Sequence, residues 1–379
     1  MTQSLLGRLR RFWLNVHLWL GVGLFVVLVP LGLSGSALVW DTALDHLLHP
    51  GRFAVTGPAT LPASAYLDAA RQGFGDRATA AQLRLPEKPG DPVIVTGRLA
   101  GPPPAPGQRP RTLTAWVDPG KGALLGVAET RTEFIGTMHA LHGNLMLSPA
   151  IGRKVVGWLG WAMFLSSCTG LWLWWPRSGS PLKGLRWRRS PSFLNNLHHL
   201  TGWLICIPLA LLSLTGVYIA FPKTSHALFG VAAPQAPGGA GGRGGAQAAP
   251  LAHPTMNIDE VLKTAQVWAP GAKPSMIVLP TKGDEPAWRI QYAGKPPKTV
   301  RVYDAGGEAE PSRGQQQGGQ QDPVSKTMRD LHDGGGTGIV WQTIIFIAGI
   351  VPTVLGVSGI VMWLRRRERR RHLAHLAAE

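Results

Sequence analysis

The chain is poor in acid and in cysteine. Of its 379 residues only 21 are Asp or Glu, against 38 Lys or Arg, and charged residues make up 16% of the total, a low share for a water-soluble protein. Its two cysteines, Cys168 and Cys206, both lie inside apolar runs. They supply neither a disulfide framework nor a CxxC site, which leaves them as small interior residues. No GxGxxG follows a strand pattern, so no built-in flavin or nicotinamide domain is expected. Four stretches lack Asp, Glu, Lys and Arg altogether: 12–40, 155–176, 190–222 and 334–364.

Each of these stretches holds about 20 mainly apolar residues, enough to cross a hydrocarbon core of about 30 Å. They predict four transmembrane helices. Trp13, Trp40, Trp174, Trp175, Trp341 and Trp363 fall near the ends, where an interfacial aromatic belt sits. The net charge of +17 is concentrated in three places: Arg8, Arg10 and Arg11; Arg177, Lys183, Arg186, Arg188 and Arg189; and the run from Arg365 to Arg371. A four-span topology puts all three on one side, and the positive-inside rule makes that side, with both termini, cytoplasmic. Orientation and contact with the lipid bilayer account for the charge; no motif points to nucleic acid. The first apolar run is longer than a signal-peptide h-region and no A-x-A-like site follows it, so it reads as an anchor.

The spans repeat. "VHLWLGVGLFVVLVPLGLSGSALVW" (16–40) aligns without a gap on "LHHLTGWLICIPLALLSLTGVYIAF" (197–221), matching His17 with His198 and Ser34-Gly35 with Thr215-Gly216. "LHGN" (141–144) leads to Thr169-Gly170 as "LHDG" (331–334) leads to Ser358-Gly359. The unit is helix, extracytoplasmic segment, LH motif, helix, and it occurs twice in the same direction. A pseudo-two-fold axis along the membrane normal follows, and such repeats commonly place functional sites at their interface. His17 then meets His198 near the cytoplasmic side, and His142 meets His332 near the other.

The segments between spans also correspond. Residues 62–130 read as a helix and four strands, and 255–304 as a helix and three strands, each a small α+β module. Asn257 with Glu260 resembles a helix-capping pattern. Segments 231–250 and 306–322 are low-complexity linkers, and 100–110 is a Pro-rich loop. The expected layout is span 12–40, module 41–140, LH motif and span 141–176, basic loop 177–194, span 195–222, module 223–330, LH motif and span 331–364, and basic tail 365–379.

Ionisable residues inside a bilayer are costly and default to function, and four histidines in two matched pairs call for a ligand. Structural zinc wants four grouped N or S donors, and a proton relay wants acids in the spans; neither set is there. Haem fits: one histidine from each of two facing helices fills both axial positions, and the Ser/Thr-Gly pairs leave room for a flat group or for close helix packing. Two haems result. The repeat selects His198 over its neighbour His199, and His142 over His139, which stay as substitutes. Arg153 and Lys154 are candidates for haem propionates or snorkelling anchors. His46 and His49 read as solvated loop residues. His226, His253, His372 and His375 carry no usable pattern.

With these motifs the chain resembles the PepSY-associated transmembrane family. The matching pieces are "HLWLG" with "LSGSALVW", "LHGNLML" with "GLWLWWPR", "LHHLTG" with "LTG", and "LHDGGGTG" with "VSGIVMWLRRR". Within that family it is most similar to FoxB-type inner-membrane ferrisiderophore reductases. The resemblance implies a bacterial inner-membrane protein with two PepSY-like periplasmic modules and two haem b groups, held by His17, His198, His142 and His332. It also implies reduction of ferric iron in a siderophore on the periplasmic side. The cytoplasmic segments are too short to fold into a donor domain, so a quinol or a cytoplasmic reductase must supply the electrons. The rival readings are a PepSY-type sensor without haem and a cytochrome b subunit of another oxidoreductase.

Overall fold

The computed structural model describes every residue except 1–4, 103, 105–109, 177–185, 187–189, 231–247, 295–297, 313–321 and 378–379. Much of the Pro-rich loop, the basic loop 177–194 and the two low-complexity linkers therefore lies outside the described residues. The chain divides into a helical unit, Met1–Trp40, Met138–Ala232 and Pro323–Glu379, and a sheet unit, Asp41–Thr137 and Ala233–Asp322.

Among the described residues of the helical unit, four helices are long and apolar enough to cross a membrane. They are α1 (Leu5–Val39), α5 (Pro149–Trp174), α6 (Phe193–Ala220) and α10 (Ile339–Leu376). Helix α1 packs on α5 and α10, and α6 packs on the same two, so α1 and α6 are diagonal across the bundle. Small residues let the axes approach. Gly32 of α1 meets Gly349 of α10, and Ser36 donates to the Phe346 carbonyl at 2.7 Å, the small-residue packing expected inside a bilayer. Short helices precede two of the spans: α4 (Phe134–Asn144) before α5 and α9 (Pro323–Asp333) before α10. The links that follow them differ. Leu145 and Met146 carry positive φ after α4, whereas after α9 glycines 334, 336 and 338 take that conformation without a Cβ penalty.

Helix α10 departs from the expected layout. Residues 365–376, expected as a basic tail, extend the helix of the span without a break. A helix of 38 residues is about 57 Å long, well beyond the hydrocarbon core, and its Arg, Leu and Ala residues are strong helix formers that need no packing partner.

In the sheet unit α2 (Asp41–Leu48) is followed by a helical turn at Pro50–Phe53. The first half then runs α3 (Ala63–Phe74), β1 (Ala78–Arg84), β2 (Val93–Leu99), β3 (Thr112–Val117) and β4 (Leu124–Ala128). After α7 (Pro222–Leu228) of the helical unit, the second half runs α8 (Ile258–Gln266), β5 (Pro274–Val278), β6 (Ala287–Tyr292), β7 (Lys298–Tyr303) and β8 (Ala309–Pro311). The expected strands are present. Strand β8 is an addition, lying in a stretch read as linker because Gly and Glu mask its pairing with β7.

The two modules are not separate sheets. Among the described residues the eight strands form one antiparallel sheet in the order β4-β3-β2-β1-β5-β6-β7-β8, joined by β1 and β5 with Leu83 opposite Ile277. Helices α3 and α8 pack over a shared core that includes Tyr66, Phe74, Leu83, Val95, Val261, Ile277, Trp288 and Ile290. Burying each such aliphatic or Phe side chain contributes about 1.5–3 kcal/mol. Had the halves been separate, β1 and β5 would each present an unpaired edge, a liability that the junction removes.

Two buried aspartates close the halves in the same way. Asp118, just after β3, accepts from the Thr56 amide at 2.8 Å and the Thr56 hydroxyl at 2.5 Å. Asp304, just after β7, accepts from the Thr255 amide at 2.8 Å and from Trp288 Nε1 at 2.8 Å. Burial opposes ionisation of both, but these donors prevail and each carboxyl lies below its usual range. Asn257 does cap α8, through the Asp259 amide at 2.9 Å. The Asp259 carboxylate in turn accepts from the Ser64 hydroxyl of α3 at 2.5 Å.

His46 is solvent-exposed as expected but sits on a helix rather than in a loop, and His49, in the loop that follows, is half-buried. They lie on and just after α2, where His46 stacks on Phe53 with centroids 3.6 Å apart and His49 Nδ1 bonds Asp45 at 2.8 Å. Beside them Arg52 forms a two-pronged ion pair with Glu133 and lies 4.0 Å above the Trp116 ring.

Candidate cofactor site

The histidine pairs meet inside the helical unit. The ring centroids of His17 and His198 are 6.4 Å apart with planes at 89°, and those of His142 and His332 are 6.0 Å apart at 42°. His17 is on α1 and His198 on the diagonal α6; His142 is on α4 and His332 on α9. His142 reaches α1 at Leu31, 14 residues from His17, which sets the two pairs about 21 Å apart along the bundle.

One hydrogen-bonding arrangement recurs at all four rings. His17 Nδ1 donates to the Ser166 carbonyl of α5 at 3.1 Å, beside the Thr169 hydroxyl. His332 Nδ1 donates to the Leu212 carbonyl of α6 at 3.0 Å, beside the Thr215 hydroxyl. His142 Nδ1 donates to the Leu31 carbonyl of α1 at 2.8 Å. His198 Nδ1 lies 2.9 Å from the Ser358 hydroxyl of α10, whose own proton is directed to the Leu355 carbonyl. In every case the partner is the Ser or Thr of a small-residue pair or the carbonyl three residues before it. A carbonyl can only accept, so Nδ1 carries the proton and Nε2, across the ring, keeps its lone pair. An outer partner of this kind sets tautomer and ring orientation in histidine sites that ligate metals.

The glycine of each pair lies under the same ring. A Cβ on Gly35 would sit 2.6 Å from His142 Cε1, on Gly216 3.0 Å from His332 Cε1, and on Gly170 3.2 Å from His17 Cε1. On Gly359 it would be 3.6 Å from His198 Cε1, an ordinary contact. The small pairs thus do more than admit a neighbouring helix: the glycine makes room for an imidazole, and Thr169, Thr215 and Ser358, though not Ser34, also lie within hydrogen-bond distance of one.

A cavity of about 620 Å³ surrounds the His17–His198 pair. Apolar side chains of all four long helices wall it, Asn195 and His199 also face it, and Arg366, Arg367, Arg370 and Arg371 of α10 line it as well. His199 shares this cavity but not the ring pairing. His139 is exposed, as are Arg153 and Lys154 in the first turns of α5. Among the described residues no three His, Cys, Asp or Glu side chains group as metal ligands. The arginines were legible in the sequence only as cytoplasmic charge. His226, which had no pattern, is buried and bonded through Ser325 to Tyr218, at 3.1 and 2.8 Å.

Fold and site together define a multi-pass membrane protein with two imidazole pairs at two depths of a four-helix bundle. The chain belongs to the PepSY-associated transmembrane family, whose model, described as the PepSY-associated TM region, matches residues 14–366. No curated protein matches the chain.

Proposed function

We propose that this protein is a di-haem b electron-transfer protein of the bacterial inner membrane, with both termini cytoplasmic, that reduces ferric iron held by a siderophore on the periplasmic side. The observation that carries the reading is the donor set: two imidazoles per site, each with Nδ1 engaged on a neighbouring helix and Nε2 left with a lone pair. Two protein ligands are too few for a bare ion but suit a metal that brings its own equatorial ligands. Two imidazoles sharing one metal at about 2 Å each would have centroids roughly 6 Å apart, and the pairs stand at 6.4 and 6.0 Å.

His17 and His198 would hold one haem, and His142 and His332 the other. When bound, haem supplies one-electron transfer between its ferric and ferrous states at a potential set by axial ligand, hydrogen bonding and burial. With His17, His198, His142 and His332 all engaged in holding the two groups, the protein would suit electron transfer rather than oxygen binding. The Nδ1–H bonds raise the basicity of the ligating nitrogens, and the apolar cavity walls exclude water. The sheet unit, built as two duplicated halves on the periplasmic side, would present the ferric siderophore. A quinol or a cytoplasmic reductase would deliver electrons at the other face. Arg153 and Lys154, both exposed on α5, are the proposed contacts for the outer propionates.

The test is haem quantification on the purified protein, followed by mixing the dithionite-reduced form with a panel of ferric siderophores. The reading expects a Soret band, two haems per chain and reoxidation coupled to ferrous iron release. Absence of haem would end it in favour of a sensor. Haem that is not reoxidised by any ferric chelate would leave a cytochrome subunit serving another reaction.

A further inference from the structure

The cavity around His17 and His198 does not end in apolar side chains. Four arginines of α10 line it, and among the described residues none of the four forms an ion pair. Arg367 lies over the Trp363 ring at 5.8 Å. Arg366 and Arg370 are one turn apart, on the same face of the helix. Arg365 and Arg369, one residue earlier in each case, do not line the cavity. On the same helix Ser358 holds His198, and Arg366 follows it by eight residues, a rise of about 12 Å. An arginine side chain bridges much of that distance. The rim therefore lies within reach of an acidic group on a molecule centred between the two imidazoles.

We propose that Arg366 and Arg370 are a carboxylate-binding rim for the group held by His17 and His198, receiving the two propionates of that haem. This rests on the cofactor reading above. The chemistry suits it: a guanidinium fork matches a carboxylate with two parallel N–H···O bonds. Two carboxylates meeting two cations also lets a dianionic edge lie beside an apolar cavity without unpaired charge. It gives Arg366 and Arg370 to the cofactor, leaves Arg367 and Arg371 as further positive charge along the cavity, and leaves Arg365 and Arg369, outside it, to orient the protein in the membrane.

The test compares two double variants of the full-length protein in neutral detergent. Arg366→Leu with Arg370→Leu removes the rim. Arg365→Leu with Arg369→Leu removes the same charge from the same turns outside the cavity. The expected result is that the first variant loses up to one of its two haems, and that any haem retained there titrates at a lower midpoint potential, since nearby positive charge favours the reduced state. The control keeps both haems at parental potentials, and Arg366→Lys with Arg370→Lys restores loading at least in part. Equal behaviour of the two Leu variants, with haem present, overturns this inference alone. A parent without haem overturns the functional reading and this inference with it. A difference that appears only after phosphatidylglycerol is added shows the rim holding a lipid phosphate instead, and likewise overturns it.

Discussion

Replacing Gly35 with alanine adds one methyl group directly beneath the His142 ring. The added carbon would lie 2.6 Å from Cε1 and 2.9 Å from Nδ1, where ordinary contact begins at 3.4 Å. The ring must therefore retreat by about 0.8 Å, more than the roughly 0.5 Å within which a binding constellation has to be held. Overpacking of this kind costs about 1–3 kcal/mol, on the order of 5- to 150-fold in occupancy of the His142–His332 site. Backbone propensity works the other way, because alanine favours a helix over glycine by about 1 kcal/mol. On the haem reading proposed above, a loss of haem from Gly35→Ala thus reports on the ring and not on a weakened helix. The same arithmetic ranks the other three. Gly216→Ala calls for a retreat of about 0.4 Å, Gly170→Ala for about 0.2 Å and Gly359→Ala for none. Haem per chain and the Soret spectrum, measured on the four variants side by side, should fall in the order Gly35, Gly216, Gly170, Gly359, with the last near parental. If Gly359→Ala loses as much haem as Gly35→Ala, or Gly35→Ala keeps both haems, the glycines do not seat the imidazoles as argued.

Three further outcomes are expected. Ser34→Ala should leave the His142 site intact, because the Ser34 hydroxyl donates to Pro30 and Leu31 within its own helix while the Leu31 carbonyl receives His142; a changed spectrum or haem content would contradict this. Asp304→Ala strips charge-assisted bonds from the Thr255 and Met256 amides and from Trp288, each worth about 1.5–3 kcal/mol. Thermal unfolding should register a marked loss, with a parental melting curve as the refuting result. The Arg52 bonds hold the Glu133 carboxyl below its ordinary 4.5, against the opposing effect of burial. A folded value below the unfolded one means the stabilisation is complete above about pH 4.5 and disappears as pH falls through the folded value. Glu133→Gln should lower the melting temperature near neutral pH and lose less stability on acidification than the parent; identical slopes would remove the pair from the account.

Much of this architecture was written in one dimension. Charge-free runs of bilayer length marked the four long helices, since a membrane interior penalises charge wherever the helix points. Alternation in "DPVIVTG" and "TVRVYD" marked strands, because one face of a sheet is buried whatever it packs against. The gapless match of His17 with His198, and of Ser34-Gly35 with Thr215-Gly216, named the rings that come together. Two segments that share a register carry matching residues to matching places in the bundle.

Other features depended on partners distant in the chain. The junction of β1 with β5 makes one sheet where two were expected, and pairing of edges separated by nearly 200 residues leaves no local trace. The carbonyls of Leu31, Ser166 and Leu212 receive histidine protons, yet a backbone acceptor has no residue identity to read. His49 read as a solvated loop residue, and only the fold sets Asp45 and Glu133 beside it. The arginines after Trp363 looked uniform as a string. Only the helical turn, which sends Arg366, Arg367, Arg370 and Arg371 to the cavity and Arg365 and Arg369 elsewhere, separates them. Composition and period report what each segment needs from its surroundings, whereas which surroundings it meets is decided by the packed chain.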